Sequence, residues 1–348
     1  MFEVWDGGSF AEIEAYLVDA GFFGRTGVVA DVFLGYALSN ALLRVSAPPP
    51  EPCRLPLAAC RIRPVSAPPQ QAGAFTVGDW DATWTPAEHA AAIEAVQAAI
   101  AAGEVYQVNV VQHLSAPFTG DPAGLAAALS PLRPLVREPL VGDGWAVVSG
   151  SPELFLARRG RRVWTMPIKG TRPEETADEL AESEKDAAEH VMIVDLERND
   201  LSRVCAPGTI AWPELMAERR LAGVVHLVST VEGRLRDDVG LAALLEATFP
   251  GGSVTGCPKI SALDTIAALE PVGRGASMGA LGVVYPNRDL DLALTIRTFA
   301  VVEGRIHFWV GGGIVWDSEP AAEIEESWVK ARPLLARVGG RVPDVVPA

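Results

Sequence analysis

The sequence is poor in positive charge and in cysteine. Its 348 residues contain 29 Lys and Arg against 44 Asp and Glu, a formal net charge of −15. A surface this acidic repels a phosphate backbone, so the composition argues against nucleic acid as a partner. The four cysteines, Cys53, Cys60, Cys205 and Cys257, form neither a CxxC pair nor a metal-ligand spacing. Their scarcity favours a reducing cytoplasm as the location of the protein.

Long apolar runs are also missing, and none approaches the roughly 20 residues of a membrane-spanning helix. The opening run MFEVWDGGSF lacks the basic and apolar regions of a signal peptide. We therefore expect neither a leader nor a membrane span. The content of 49% hydrophobic and 21% charged residues is typical of a globular protein and argues against disorder.

Lysine is the scarcest cation, and its four positions are Lys169, Lys185, Lys259 and Lys330. Arginine is used elsewhere, which indicates a coding bias. Where such a chain keeps lysine, arginine is often no substitute, because only an ammonium loses its proton and becomes a nucleophile. Four ordinary surface lysines are the alternative, which the count alone leaves open.

Proline is concentrated between residues 46 and 71, where it removes many backbone N–H donors. This density predicts an exposed connector or a long loop. We divide the chain accordingly into two parts of one body. Residues 1–75 form a short N-terminal segment with the proline-rich connector, and residues 76–348 form the larger domain.

The remaining pattern predicts helices interleaved with strands. A capping box of Thr85 and Glu88 begins a helix predicted over Pro86–Ala102. Two further helices are predicted near Glu184–Asn199 and Pro320–Val338, and alternating runs such as GALGVVY and GRIHFWVGGGIVW predict strands. We expect an α+β fold in which a two-sheet antiparallel β-sandwich is flanked by helices.

Two of these helices carry paired carboxylates. Asp186 and Glu189 are three residues apart and share a face, and Glu323, Glu326 and Lys330 fall on one stripe at about 100° per residue. We expect that stripe to be exposed in a cleft. Carboxylates presented from two helices suit Mg²⁺, which takes oxygen ligands. Two solvated acidic faces are the alternative, and spacing alone does not decide between them.

Two glycine-rich runs suit anions. GGGIVW follows an apolar strand, and its backbone N–H groups are open to a ligand because no Cβ blocks them. FPGGSVTGCPK leads into a helix N-terminus. Ordinary turns remain the alternative for each run. Neither run matches a nucleotide-binding motif, so nucleotide binding is not indicated.

Together these runs resemble the chorismate-utilising enzymes, which include anthranilate, aminodeoxychorismate, isochorismate and salicylate synthases. The matching runs extend from about Pro86 to Ala336 in family order. They are GEVYQVNVVQ, SPELF, PIKGTRPE, EKDAAEHVMIVDLERNDLSRV, VVHLVSTVEGRL, FPGGSVTGCPKISALDTI, LDLALTIRTF and GGGIVWDSEPAAEIEESWVKA. The resemblance implies that residues 76–348 are a chorismate-binding catalytic domain.

Single residues indicate the branch of the family. Gln107 stands where the water-using enzymes carry a base lysine, which disfavours that branch. Lys169 in PIKGT resembles the aminodeoxychorismate synthases, because anthranilate synthases usually have alanine there. Glu153 in SPELF matches the proposed acid/base of the same branch. Ser277 departs from the pattern, because a substrate-contacting tyrosine is common at its position.

The resemblance also implies a role for each site residue. The catalytic groups are Lys169, Glu153 and His226. Direct Mg²⁺ ligands are Glu189 and Glu326, with Asp186 and Glu323 holding metal-bound water. The substrate-binding residues are Gly170, Thr171, Ser253, Thr255, Arg297, Gly311, Gly312, Gly313, Lys330 and Gln107. Since a nucleophilic lysine must be neutral, we expect its site to lower the pKa of Lys169.

The activity implied is replacement of the C4 hydroxyl of chorismate by ammonia. The chain contains no Gly-x-Cys-x-Gly glutaminase turn, so we expect a separate glutamine amidotransferase to supply the ammonia. Amination at C2, as in anthranilate synthases, is the first alternative. A non-catalytic chorismate-binding subunit is the second.

Overall fold

The computed structural model describes residues 2–45, 47–68, 70–173, 184–221 and 224–342. Within these residues the chain forms seven α-helices. They are α1 (Phe10–Asp19), α2 (Pro86–Ala101), α3 (Pro122–Leu129), α4 (Glu184–Ser202), α5 (Leu241–Thr248), α6 (Lys259–Leu269) and α7 (Pro320–Val338). The predicted capping box at Thr85 and Glu88 is present, and the helices predicted near Glu184–Asn199 and Pro320–Val338 are confirmed.

The strands of the described residues alternate with these helices along the chain. They are β1 (Phe2–Trp5), β2 (Val28–Leu34), β3 (Ala58–Pro64), β4 (Phe75–Val77), β5 (Asp81–Ala82), β6 (Gln107–Gly120), β7 (Leu140–Val141), β8 (Trp145–Ser149), β9 (Leu154–Arg159), β10 (Arg162–Met166), β11 (Ile168–Pro173), β12 (Ala211–Leu221), β13 (Val224–Arg234), β14 (Gly256–Cys257), β15 (Ala280–Val284), β16 (Leu290–Leu294), β17 (Thr298–Val302) and β18 (Arg305–Ile314).

As described, these strands form two antiparallel sheets. A ten-stranded sheet has the order β1-β3-β2-β15-β16-β9-β10-β13-β11, with β12 also paired to β13. An eight-stranded sheet has the order β14-β6-β18-β17-β8-β7, with β4 and β5 paired to β6. The predicted α+β fold with two antiparallel sheets and flanking helices is confirmed.

Two cores hold these layers together. The first joins the sheets, and in it Phe33 of β2 approaches Trp145 of β8 with ring centroids 6.4 Å apart. The second lies between the eight-stranded sheet and the outer helices, where Ile93 of α2 and Trp328 of α7 are buried. Burial of this apolar surface is the main force that fixes the helices on the sheets.

The proline-rich segment differs from the prediction, because strand β3 lies inside it. Ala58, Ala59 and Cys60 are buried there, and β3 pairs with both β1 and β2. The physical reason is the position of the prolines. Residues 57–63 contain none, so every N–H of that run is available to the sheet. The expectation of an exposed connector through all of residues 46–71 is therefore wrong.

None of the helices in the described part of the chain combines the length and the apolarity that a membrane span requires.

Candidate active site

Lys169 lies on β11, where the ladder with β13 is interrupted by a bulge between Lys169 and Thr171. Gly170 in the bulge has φ +67°, a conformation that favours glycine. The Lys169 ammonium donates to Oε1 of Glu189 at 2.6 Å and to the carbonyl oxygen of Ser253 at 3.3 Å. The bulge thus directs this lysine toward α4 and the turn at residues 252–254.

Glu153 is buried beside the same turn. The Ser253 hydroxyl donates to its Oε1 at 2.7 Å, and the Ile168 N–H donates to the same oxygen at 3.4 Å. Burial raises the pKa of Glu153 above its ordinary value, although the Ser253 hydrogen bond and the charges of Lys169 and Arg297 oppose that rise. Ser253 therefore connects the two candidate catalytic groups, through its hydroxyl to Glu153 and its carbonyl to Lys169.

Glu189 on α4 accepts a second hydrogen bond from the amide of Gln107 at 2.7 Å. Burial alone would raise the pKa of Glu189, but the charge and hydrogen bond of Lys169 outweigh it and hold that pKa below its usual value. Burial would likewise lower the pKa of Lys169, but Glu189 raises it. The expectation of a lowered lysine pKa is wrong, because a carboxylate faces the ammonium.

The glycines of β18 allow this cluster to form. A Cβ on Gly313 would lie 1.9 Å from Nε2 of Gln107 and 2.9 Å from Oε1 of Glu189. A Cβ on Gly311 would lie 1.9 Å from the carbonyl oxygen of Val110. Only glycine fits at position 311, because the obstacle there is backbone, and at position 313 a Cβ would displace the Gln107 amide from its place. The GGG run therefore serves close approach between β18, β6 and α4.

Helix α7 contributes from the other side of Gly312. A Cβ on that glycine would lie 3.5 Å from Nζ of Lys330 and 3.6 Å from Oε2 of Glu323. Lys330 is paired with Glu326 at 2.8 Å, and its positive charge also lowers the pKa of Glu189. Lys330 of α7 thus lies close enough to α4 for its charge to act on Glu189, and the meeting of the α4 and α7 carboxylates at one ion stays a prediction.

The predicted exposed stripe on α7 needs a correction. Glu326 and Lys330 are exposed, but Glu323 is buried and accepts a 2.6 Å hydrogen bond from the hydroxyl of Ser318. The reason is that Glu323 lies in the first turn of α7, where the preceding loop folds back over it.

The other predicted site residues lie around the cluster, and their roles stay predictions. His226 is buried opposite Thr171 in the β11–β13 ladder, and the Gly170 backbone forms a hydrogen bond to it. Arg297 acts electrostatically on both His226 and Glu153. The Thr255 hydroxyl donates to the carbonyl of Gly251 at 2.9 Å. The side chains of Thr171 and Asp186 lie outside the described residues.

The carboxylate oxygens of this site are the type of ligand that a hard divalent cation prefers. Glu189, Glu323 and Glu326 supply only oxygen atoms, and both hydrogen bonds to Glu189 use a single oxygen, Oε1. Among the residues that the structure describes, no three His, Cys, Asp or Glu side chains are close enough together to hold a metal ion. A cation here would therefore need oxygens from a ligand or from water as well.

Gln107 shows where such a ligand could bind. Its amide is buried, and its Oε1 has no hydrogen-bond partner among the described residues. A buried acceptor without a donor costs free energy, so a ligand or water that donates to it would be stabilised.

Sequence reasoning missed two buried groups on α4. His190 is fully buried, and within the described residues neither of its ring nitrogens has a hydrogen-bond partner. Glu197 is buried, and none of the described residues forms an ion pair with it. The available signal was their spacing, because His190, Ile193, Glu197 and Leu201 follow each other at three or four residues and all lie on the buried side of the helix.

Comparison with known proteins places this site in a family. The chorismate binding enzyme family matches residues 37–336. Anthranilate synthase component 1 of Streptomyces coelicolor is 40% identical over 269 residues, which are 74% of this chain and 53% of that protein. Aminodeoxychorismate synthase component 1 of Klebsiella aerogenes is 40% identical over 277 residues, 76% and 61% of the two chains.

A solved structure agrees with the fold. Anthranilate synthase component I from Streptococcus pneumoniae has a TM-score of 0.79 at 26% identity, with 88% of this chain and 80% of that chain covered. The chain spans only 53% and 61% of the two curated relatives named above. The matched part contains every candidate site residue.

Proposed function

The chain belongs to the chorismate binding enzyme family, and from that membership we propose that it aminates chorismate at C4. The product would be 4-amino-4-deoxychorismate, the precursor of p-aminobenzoate and folate. Ammonia would replace the C4 hydroxyl, and the enolpyruvyl group would stay on the ring.

One observation carries this proposal. Lys169, the lysine of PIKGT, is held in the cluster by Glu189 and Ser253, and Ser253 also holds Glu153. A nucleophile and a proton donor fixed by one serine are what a substitution at a hydroxyl-bearing carbon needs. Gln107 at the same site has no basic group to activate water, which disfavours the reaction in which water rather than ammonia attacks the ring.

In the proposed reaction, neutral Lys169 bonds to C2 of the ring while the C4–O bond breaks. Glu153 donates a proton to the departing oxygen, which leaves as water. Ammonia then bonds to C4, the ring double bonds shift back to their original positions, and the lysine nitrogen leaves C2. Arg297 and the N–H groups of the glycine run would bind the substrate carboxylates.

The ion pair with Glu189 must separate, and Lys169 must release a proton to water, before its nitrogen can react. Their contact keeps the proton on the lysine, since it raises the lysine pKa and lowers that of the carboxyl. Binding of the substrate therefore has to change the partner of Glu189.

We propose that Glu189 and Glu326 hold Mg²⁺, with Asp186 and Glu323 holding metal-bound water. When bound, the ion would neutralise a carboxylate of chorismate and stabilise negative charge. The oxygen-only donor set on α4 and α7 supports this assignment.

Ammonia would come from a separate glutamine amidotransferase. The support is the absence of a glutaminase turn from the sequence and the component 1 names of the relatives. The purified chain should then use ammonium salts but not glutamine.

Product analysis tests the proposal. We would incubate the chain with chorismate, ammonium and Mg²⁺, with matched samples that contain EDTA or glutamine in place of ammonium. The expected product is 4-amino-4-deoxychorismate, formed only with Mg²⁺ and ammonium. Isochorismate as the main product, or efficient use of glutamine by the chain alone, would contradict the proposal.

Amination at C2 is the second candidate, because relatives named anthranilate synthase component 1 are as similar as the aminodeoxychorismate synthases. The same assay separates the two reactions. Formation of anthranilate requires loss of pyruvate, whereas amination at C4 releases none.

A further inference from the structure

Glu197 lies behind the proposed catalytic groups and takes no part in the chemistry described so far. It is buried on α4, eight residues beyond Glu189. Its Oε2 accepts a hydrogen bond from the hydroxyl of Thr165 on β10 at 3.0 Å. Thr165 is the one hydrogen-bond donor to this carboxyl within the described part of the chain. Such a buried carboxyl is costly to ionise, because water no longer stabilises the charge.

Glu197 and Glu153 both contact the turn at residues 252–254. A Cβ on Gly252 would lie 3.3 Å from Cγ of Glu197, so the two residues are in contact. The next residue, Ser253, donates its hydroxyl to Glu153. Glu197, Thr165 and Gly252 line a small cavity of about 10 Å³, measured as the space that the centre of a water molecule can occupy. This is roughly the minimum for one water.

Charged groups face Glu197 from several elements. They are Asp200 on the same helix, Lys259 on α6, Glu153 ahead of β9 and Lys169 on β11. Among the described residues neither lysine forms an ion pair with Glu197, because Lys259 is paired with Asp200 at 2.5 Å and Lys169 with Glu189 at 2.6 Å. The charge of Lys259 still lowers the pKa of Glu197.

The nearby arginine offsets one of these negative charges, that of Glu153. Arg297 acts on Glu153 rather than on Glu197. If Glu153 and Glu197 were both ionised, these groups would therefore carry one negative charge more than the two lysines and Arg297 balance. The pKa of Glu197 is raised to about 8, chiefly by burial and secondly by the charge of Glu153.

We propose that Glu153 and Glu197 form a coupled carboxyl pair that holds one proton at neutral pH, with Glu197 as the positioning residue that keeps this proton available to Glu153. This role rests on the proposed function, in which Glu153 is the acid. Two carboxyls that share a buried site lose their protons in two separate steps, so such a pair keeps one proton over a wide pH range.

The proton balance closes over one reaction cycle. Glu197 passes its proton to Glu153 and becomes a carboxylate. Glu153 passes a proton to the departing C4 oxygen, which leaves as water. The ammonia nitrogen sheds one proton after it bonds to C4, and that proton restores the pair.

Infrared difference spectroscopy on the substrate-free protein tests the charge state. The spectrum of the wild type minus that of Glu197→Gln should show a protonated carboxyl that titrates with a midpoint near pH 8. In Glu153→Gln this midpoint should move to lower pH, because a negative charge has been removed. In Thr165→Val it should move to higher pH, because a hydrogen bond that favours the carboxylate is lost.

A pH profile then tests the role in the reaction. With free ammonia held constant, the wild type should keep its kcat up to about pH 8, and one pH unit higher about a tenth of it should remain. Glu197→Gln should lose activity from a lower pH, because Glu153 then loses its proton without a reserve. Glu246→Gln, an exposed change on α5, is the matched control and should leave the profile unchanged.

The outcomes are separable. A Glu197 midpoint in the ordinary glutamate range, or one that Glu153→Gln does not move, would overturn the coupled pair whatever the protein catalyses. If Glu197→Gln fails to fold, the opposite shifts in Glu153→Gln and Thr165→Val still decide the matter. Failure to aminate chorismate with normal infrared shifts would instead reject the proposed function and retain the pair.

Discussion

The site contains two lysine–glutamate pairs that match in chemistry and differ in surroundings. Lys169 and Glu189 are 2.6 Å apart, and their side chains are only 11% and 15% exposed. Lys330 and Glu326 are 2.8 Å apart on one helix, with side chains 41% and 55% exposed. The inner pair joins two elements distant in sequence, whereas the outer pair joins neighbouring turns of α7.

The difference shows that contact distance alone says little about what an ion pair does. In water the attraction between two charges is weak and is nearly balanced by the loss of side-chain freedom. Away from water the same attraction is strong, and removal of one partner leaves the other charge without solvation. The inner pair can therefore hold a proton in place, and the outer pair can exchange partners at little cost.

The largest effect should come from exchanging each lysine for arginine. Lys169→Arg keeps the charge, but a guanidinium cannot lose its proton near neutral pH, so we expect turnover with ammonium to fall by about 10²-fold or more. Lys330→Arg should change turnover less than about tenfold, because an exposed charge is retained. Steady-state assays of purified, folded variants measure both. Near wild-type turnover in Lys169→Arg would leave the inner lysine a purely electrostatic role.

Stability should separate the pairs next. Glu189→Gln leaves a buried ammonium without its counter-charge and should lower the free energy of unfolding by about 3 kcal/mol. Glu326→Gln should lower it by only about 0.5 kcal/mol. Urea unfolding followed by circular dichroism gives both values. Equal losses would mean that burial does not distinguish the pairs.

Acid should weaken the inner pair in a defined direction. The pKa of Glu189 in the folded protein lies below its ordinary value of 4.5. Its stabilisation is therefore complete above pH 4.5 and is lost as the pH falls through the lowered pKa, by up to about 1.4 kcal/mol per pH unit. The difference in unfolding free energy between wild type and Glu189→Gln should shrink in the same range. A difference that grows on acidification would reverse the assigned sign.

Salt should produce the smallest effect. At 1 M salt the screening length is about 3 Å, so the contribution of the exposed Lys330–Glu326 pair should fall from about 0.5 kcal/mol toward zero. The contribution of the inner pair should change little, because ions do not enter its surroundings. Unfolding of the wild type and both glutamine variants at low and high salt supplies the comparison.

Local patterns along the chain predicted much of the fold. The capping box at Thr85 and Glu88 was recognisable because its two residues are neighbours in sequence. The strand β3 was missed because proline density is an average over many residues, while strand formation depends on one proline-free run with two partner strands. Partner strands lie far away in sequence and leave no local signal.

The candidate site divides in the same way. Lys169, Glu153 and Glu189 could be named from motifs, because each lies within a short distinctive run. Burial of Glu323 could not be predicted from its helical stripe, since Ser318 reaches it only after the preceding loop folds back. Glu197 was present in the quoted run LERND, but nothing in that run shows that the nearby lysines are paired with other carboxylates.

By itself the sequence determined the kinds of groups available: four lysines, glycines where strands must approach closely, and carboxylates spaced to share helix faces. The tertiary structure alone decided the charge states and pairings. Lys169 contacts Glu189 and Ser253, which lie 20 and 84 residues away. Its pKa is raised there, whereas a nucleophilic lysine needs a lowered pKa. The reason is that a pKa depends on the water removed and the charges brought near, and both are set only when distant segments come together.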